Sequence, residues 1–390
     1  MTHNAMILDG MTLFTGEHIC ENRALVIENG FISRVIPHSD VPSGVPVERL
    51  PPDCLLAPGF IDVQVNGAGG VLFNDNPTKQ AIDTIGTSLR SFGVTGFLPT
   101  FITDSKDKMD QACMAAVQAC EYENNMALGI HLEGPFINSQ RCGIHDPRYI
   151  RIPNRQDVIA LEQLAIRLAD KKVLLTLAPE IVQENSISQL IRAGVIVSIG
   201  HTAATYAETL DAIASGATGF THLFNAMPPI MNREPGPVGA ALSQRHISCG
   251  IIADGFHVHP ALLRATLAAK APGSVFLVTD AMPPVGTKED SFILYGRHIL
   301  RKDGRLISED GVLAGADITN IQLVRNCISL LGLHLEEALR MASLYPARFL
   351  KMDHQRGYLK PGYIADMVLL SNWRHPTELK VEKTWVAGKL

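Results

Sequence analysis

The sequence predicts an α/β protein: a (β/α)8 TIM-like barrel with a small β-sandwich domain formed from both chain termini. Three observations predict it. Short runs rich in Val, Ile, Leu and Phe alternate with helix-length segments through the middle of the chain. The runs are nearly continuous in apolar character, as parallel strands buried on both faces require. Both ends of the chain instead carry short strands separated by tight turns.

At the N-terminal end, Ala24–Ile27 leads into Glu28-Asn29-Gly30 and then Phe31–Ile36. Asn-Gly between apolar runs signals a hairpin, because both turn residues tolerate positive φ. At the other end, Gly357–Leu359 passes through Lys360-Pro361-Gly362 to Ala365–Leu370, and Val381–Val386 reaches Ala387-Gly388. One β domain built from residues 1–57 and 357–390 is expected, with a barrel over 58–356. Chain termini often lie close together, which suits this arrangement.

The expected barrel strands are Phe60–Asn66, Gly96–Thr103, Ala127–Glu133, Val173–Glu180, Val195–His201, Gly219–Asn225, Cys249–Asp254 and Ser274–Asp280. Helical segments such as Thr78–Phe92, Lys106–Glu123, Gln156–Ala169 and Ala204–Ser215 fall between them. Eight such units over about 300 residues suit a barrel. An open doubly wound sheet would want a G-x-G-x-x-G turn after its first strand, which Asn66-Gly67-Ala68-Gly69-Gly70 does not supply. A stretch at about 286–313 breaks the alternation: Phe292–Tyr295 and Leu306-Ile307 flank the turn-like Gly296 and Asp303-Gly304. It reads as a β insertion, before a helix from about Ile318 to Leu331.

The 390 residues admit two or three average domains, or one large barrel with an attachment. A charged fraction of 19% excludes a disordered chain. The balance of 34 basic against 39 acidic residues, net −5, argues against a nucleic-acid binder. No apolar run approaches the roughly 18 residues that span a bilayer. The first residues, Met1 to Ala5, lack a signal-peptide layout. The seven cysteines are odd in number and form no C-x-x-C pair, so reduced thiols are expected. These features together predict a cytoplasmic protein without membrane or nucleic-acid partners. Cys142, in a motif-rich loop, reads as a small loop residue.

Polar residues collect at one end of the expected strands: Gln64 and Asn66, His131 and Glu133, His201, His222 and Asp280. The C-terminal ends of barrel strands form the active face. Glu133, His201 and His222 are candidates for a divalent metal site. Two neutral imidazoles and one carboxylate leave a coordination position for water, the ligand logic of hydrolytic zinc. A single histidine after a strand is more often structural, but three such residues together favour a metal. Zn2+ suits the set, and Fe2+, Mn2+ and Co2+ are alternatives. Asp280 is placed to move a proton between water and a leaving group, against the plainer role of a capping aspartate. Arg233, in the rigid Asn232–Gly236 loop, suits an oxyanion such as phosphate, with a surface salt bridge as its rival. His257 is a second candidate for that anion, whereas His259 reads as exposed and without a role.

At these motifs the sequence resembles the N-acetylglucosamine-6-phosphate deacetylases of the amidohydrolase superfamily. The resemblance covers nearly the whole chain. It rests on Ala57–Gly67, Gly129–Phe136, Gly200-His201-Thr202, Thr221–Met227, Gly250–His257 and Val278–Ala281, which occur in the family's order. It implies Glu133, His201 and His222 as ligands of one divalent ion per subunit, and Asp280 as general base and acid. It implies His145 as the residue that polarises the acetyl carbonyl, with Gln64 and Ile144 beside the substrate. Asn225 and Ala226 would contact the sugar phosphate and Arg233 would bind the phosphate. His257 would reach the neighbouring active site of a homodimer or larger homo-oligomer. Leu313, Ala314 and Gly315 match a substrate-contacting loop.

Many superfamily members carry His-x-His at the end of the first strand, where this chain has Gln64 and Asn66. Ala178-Pro179-Glu180 also lacks the lysine of members with a carbamylated bridging ligand. Amides are poor zinc ligands beside imidazole or carboxylate, so a single catalytic metal is expected. The expected reaction removes the acetyl group from N-acetylglucosamine 6-phosphate. The alternatives are the galactosamine epimer and a catalytically silent sugar-phosphate-binding scaffold. Phe224, the Gly143-Ile144 loop and residues 313–315 are candidates for reading the 4-hydroxyl.

Overall fold

Eight parallel strands organise the middle of the chain: β1 (Phe60–Val65), β2 (Val94–Ile102), β3 (Gly129–Glu133), β4 (Lys172–Leu177), β5 (Ile196–Ile199), β6 (Gly219–Phe220), β7 (Ser248–Ile251) and β8 (Val275–Leu277). The computed structural model describes residues 5–42, 46–121, 125–183 and 185–390. Residues 1–4, judged above for a signal layout, and 122–123, the expected end of the second helix, lie outside the described residues. Each strand pairs in parallel with the next. The ring closes where Val65 bridges Ala281; the Asn66 N–H donates to the Ala281 carbonyl at 2.9 Å and the Asp280 N–H to the Gln64 carbonyl at 3.0 Å. Every residue of β1 and β2 is buried, the both-faced burial that a covered parallel sheet demands.

Helices cover the ring: α1 (Lys79–Arg90), α2 (Lys106–Cys120), α3 (Arg155–Leu168), α4 (Ser186–Arg192), α5 (Tyr206–Ala214), α6 (Gly236–Ser243), α7 (Pro260–Ala269), α8 (Asn320–Ser329), α9 (Leu335–Ala342) and α10 (Leu344–Phe349). Reciprocal caps start α3 (Asn154 with Asp157) and α5 (Thr205 with Glu208), satisfying amides that a helix start leaves open. His259 caps α7, its Nδ1 accepting from the Ala261 N–H at 3.2 Å.

Several strands are shorter than the apolar runs suggest. β5, β6 and β8 stop before His201, His222 and Asp280. Those three residues adopt left-handed backbone, with φ of 49°, 30° and 53°, as do Phe224 and Ala226. Left-handed residues cannot continue a strand, and residue-type patterning does not reveal them.

The two chain ends form one seven-stranded sheet, in which Met367–Ser371 pairs with both Lys380–Trp385 and Leu55–Pro58, and Ala5–Phe14 joins Ile19–Glu28. The period of two decides what each strand buries. Leu55, Ala57, Val368 and Leu370 pack into the barrel core, while Leu56, Met367 and Leu369 face the small domain's own core around Trp385. The Asn29-Gly30 turn has φ of 53° and 82°, as a tight hairpin requires.

The insertion is a three-stranded meander, Ser291–Leu294, Arg297–Lys302 and Arg305–Ser308. Its Leu294, Ile299 and Leu306 pack with Leu72, Ile102, Ile144, Met282 and Ala314, so the meander's core continues into the mouth of the barrel.

Gly129 opens β3 at φ 138°, and a Cβ there would run into the Lys172 carbonyl oxygen of β4. Gly129→Ala should destabilise the fold by roughly 3 kcal/mol, combining a strained dihedral with an overpacked backbone contact. Denaturant unfolding checks this; a variant as stable as the parent contradicts it.

Candidate active site

Glu133 ends β3, and His201 and His222 sit on the left-handed kinks just past β5 and β6. All three are buried, at 2%, 5% and 4% exposure. The His222 Nε2 lies 2.9 Å and the His201 Nε2 3.2 Å from Glu133 Oε1, and the two nitrogens are 3.1 Å apart. The His201 Nδ1–H donates to the Arg141 carbonyl at 2.9 Å. That bond fixes the tautomer and turns the Nε2 lone pair inward, as metal-ligating histidines require. Glu180 secures the same loop by accepting from Thr202 Oγ1 (2.6 Å), the Ala203 N–H (2.6 Å) and Asn138 Nδ2 (2.9 Å).

Burial alone would raise the Glu133 carboxyl, but the His201 and His222 imidazoles packed against it hold it well below the usual carboxylate range. Burial likewise opposes charge on His222, and Glu133 outweighs it, raising that imidazole. Two imidazole nitrogens and a carboxylate oxygen converging this closely fit a divalent cation in the same place. His145 adds a further ring: it forms a group with Glu133 and His201 whose ligand atoms lie within 4.8 Å of one another.

Asp280 lies beside this triangle. Asn66 Nδ2 donates to its Oδ1 at 2.6 Å, and Gln64 Nε2 donates to both Asp280 Oδ1 (3.3 Å) and Glu133 Oε1 (3.0 Å). The two amides stand between the carboxylates as donors rather than as ligands. Burial and the nearby Glu133 charge push the Asp280 carboxyl up to about 7, against the opposing pull of His222 and His257. Its neighbour Thr279 is tied by amide and hydroxyl to Asp62, which also accepts from the Gln64 N–H and from Asn320 Nδ2. Burial raises Asp62 to about 6 while these donors pull it down. Asp62 fastens both halves of the barrel seam that carries Gln64 and Asp280.

The surrounding cavity holds about 400 Å3, within the range of small-molecule sites. Asn66, Glu133, Ile144, His145, His201, His222, Asn225, Ala226, His257, Asp280, Leu313 and Gly315 all line it. Ala314 faces away into the meander's core and is fully buried. Gln64 lies behind the lining, bridging the two carboxylates. Arg233 is exposed and is not part of the lining, so within one chain it does not meet the cavity. The His257 ring lines this chain's own cavity, held by a 2.6 Å bond from Nδ1 to Asp254 Oδ2. The reason is local, since Asp254 also caps the amides of Phe256 and His257 and so folds the loop back. All seven cysteines are free.

Sequence reading passed over Asp62, Thr103 and Asp254 as functional positions. Asp254 and Asp62 lay inside quoted motifs, and a carboxylate in an apolar run such as Phe60–Val65 is itself a signal. Thr103 carries no such mark.

The class of protein follows from this fold and site. The sequence profile of the Amidohydrolase family matches residues 55–390, and that of the NagA composite domain matches residues 8–51. The chain belongs to the amidohydrolase family. It is 37% identical, over 99% of its length and 95% of the relative's, to an N-acetylgalactosamine-6-phosphate deacetylase of a Shewanella species. It is 34% identical, over 92% of its length and 93% of the relative's, to the N-acetylglucosamine-6-phosphate deacetylase of Haemophilus influenzae. The crystal structure of N-acetylglucosamine-6-phosphate deacetylase from Pasteurella multocida superposes with a TM-score of 0.93 at 34% identity, covering 99% of each chain.

A carboxyl whose folded value lies near 7 and unfolded value near 4 holds its proton more tightly when folded. Stability of the metal-free protein therefore falls as pH rises across that window and is flat above it. Asp280→Asn removes this cost. Its gain in Tm over the metal-free parent should be larger at pH 8 than at pH 5; an equal or smaller gain at pH 8 contradicts the assignment.

Proposed function

We propose that the chain is a metal-dependent deacetylase of an N-acetylated amino-sugar 6-phosphate, acting on N-acetylglucosamine 6-phosphate. The observation that carries this reading is the convergence of Glu133, His201 and His222 with Asp280 and His145 on one cavity. The Shewanella relative, named for the galactosamine substrate, favours that epimer as a second reading.

Glu133, His201 and His222 would hold the ion, for which Zn2+ suits the donors. Bound there, a divalent cation supplies polarisation of the acetyl carbonyl and a water acidic enough to attack near neutral pH. Asp280 would accept a proton from the attacking water as its oxygen bonds to the acetyl carbon. Asn66 and Gln64 keep its Oδ1 oriented meanwhile. His145 would face the carbonyl oxygen as it gains charge; burial holds its imidazole well below its ordinary value, so it would act as a neutral donor. Asp280 returns the proton to the nitrogen as the C–N bond breaks, releasing acetate and the amine. His257 and the amides around Asn225 and Ala226 are the groups of this chain nearest in kind to a phosphate site.

Arg233 fits the reading only from another copy of the chain. The exposure of Ile230 and Met231 beside it, 50% and 60%, supports a homo-oligomer that covers this loop. Free thiols support a cytoplasmic setting. No helix of the described residues is long and apolar enough to cross a membrane.

Acetate release from the two epimeric 6-phosphates, measured side by side, tests the substrate. Asp280→Asn should lower kcat by about 10²- to 10⁴-fold with phosphosugar binding retained. A parent enzyme inert on both sugars, or a variant with parental kcat, overturns the reading.

A further inference from the structure

We infer that Thr103, itself held by Tyr295 of the meander, is a positioning residue that fixes which ring nitrogen of His145 carries the proton and thereby aims an N–H donor at the reacting carbonyl. The inference rests on the deacetylase reading and deepens it.

Thr103 follows β2 and is 1% exposed. Its Oγ1 lies 2.8 Å from His145 Nδ1, and its backbone N–H points at the same nitrogen at 3.4 Å. A peptide N–H can only donate, so the Nδ1 it faces must accept. The hydroxyl then donates to the same lone pair. A neutral imidazole has one N–H, which is left on Nε2. The opposite tautomer would let the hydroxyl turn to the Glu133 carbonyl, 3.3 Å away, but would set the Thr103 amide against a ring hydrogen. The His145 ring lies 4.4 Å, centroid to centroid, from that of His201, so its free edge is at the site.

The threonine is built in from both sides. Gly134, at φ 86°, leaves room for it: a Cβ there would collide with Thr103 Oγ1. The Tyr295 hydroxyl donates to the Thr103 carbonyl at 2.5 Å. Tyr295 sits on a left-handed turn residue, φ 51°, between two strands of the meander. Burial keeps its hydroxyl protonated, raising it above the ordinary phenol value. The meander therefore walls the cavity through Leu294, Ile299 and Leu306 and also pins the peptide that orients His145. A donor set before the reaction needs no reorganisation as the oxyanion forms.

Thr103→Val keeps the side-chain shape and removes the hydroxyl. It should lower kcat by about 10- to 100-fold, the usual cost of losing such a support, while KM changes by less than about threefold. Thr103→Ser should restore most of the rate, and Tyr295→Phe should lower kcat in the same direction by less. 15N NMR of the metal-free protein reads the tautomer without substrate: the parent should carry the His145 proton on Nε2, and Thr103→Val, which keeps only the long 3.4 Å amide contact, should show a smaller Nε2–H fraction. A parental proton on Nδ1, an unchanged tautomer in Thr103→Val, or a parental kcat in that variant overturns the inference. A parent that releases no acetate from either sugar sinks the deacetylase reading instead, and the NMR result still decides the role of Thr103.

Discussion

A carboxylate sealed in a protein interior persists only where donors or positive charge meet it. Glu133 is that group here, and its two histidines and Gln64 are what meet it. The remainder of the site follows from this arrangement. His201 must present a lone pair, so its other nitrogen is committed to the Arg141 carbonyl. Asp280 must stay close to a second negative charge, so Asn66 and Gln64 donate to it from the adjoining strand end. Left-handed backbone at His201, His222 and Asp280 is the conformational cost of turning these side chains inward from the ends of their strands.

The barrel makes that cost bearable by holding each of these residues just past the end of a short, fully buried strand. The seam between β1 and β8 matters most, because Asp62 ties Thr279 to Gln64 across it and so fixes the spacing of Asp280 from the triangle. The meander closes one wall of the cavity. The sheet from the two chain ends shares Leu55, Ala57, Val368 and Leu370 with the barrel's core and steadies the first strand from below.

Much of this was legible in the sequence. Alternating apolar runs gave the barrel, and Asn29-Gly30 and Asp303-Gly304 marked hairpins whose residues do adopt positive φ. Glu133, His201, His222 and Asp280 were recognisable as chemistry placed at strand ends, whereas His145 came only with the family resemblance. The strand ends were not legible, since a left-handed His222 or Asp280 looks like any other residue in an apolar run. Nor was the direction of His257, which depends on the Asp254 loop folding back on itself. Thr103 was invisible for another reason. Its role lies in contacts to His145, Gly134 and Tyr295, which are distant in sequence and meet only in the closed barrel.

That the Glu133, His201 and His222 triangle is a single-ion site is the claim on which the chemistry turns. Metal content per chain, measured after reconstitution with Zn2+ and removal of excess ion, addresses it without substrate. The account predicts one ion per chain in the parent and less than about a tenth of that in Glu133→Gln, because one anionic ligand is lost while the fold is kept. Two ions per chain in the parent, or an undiminished content in Glu133→Gln, would contradict it.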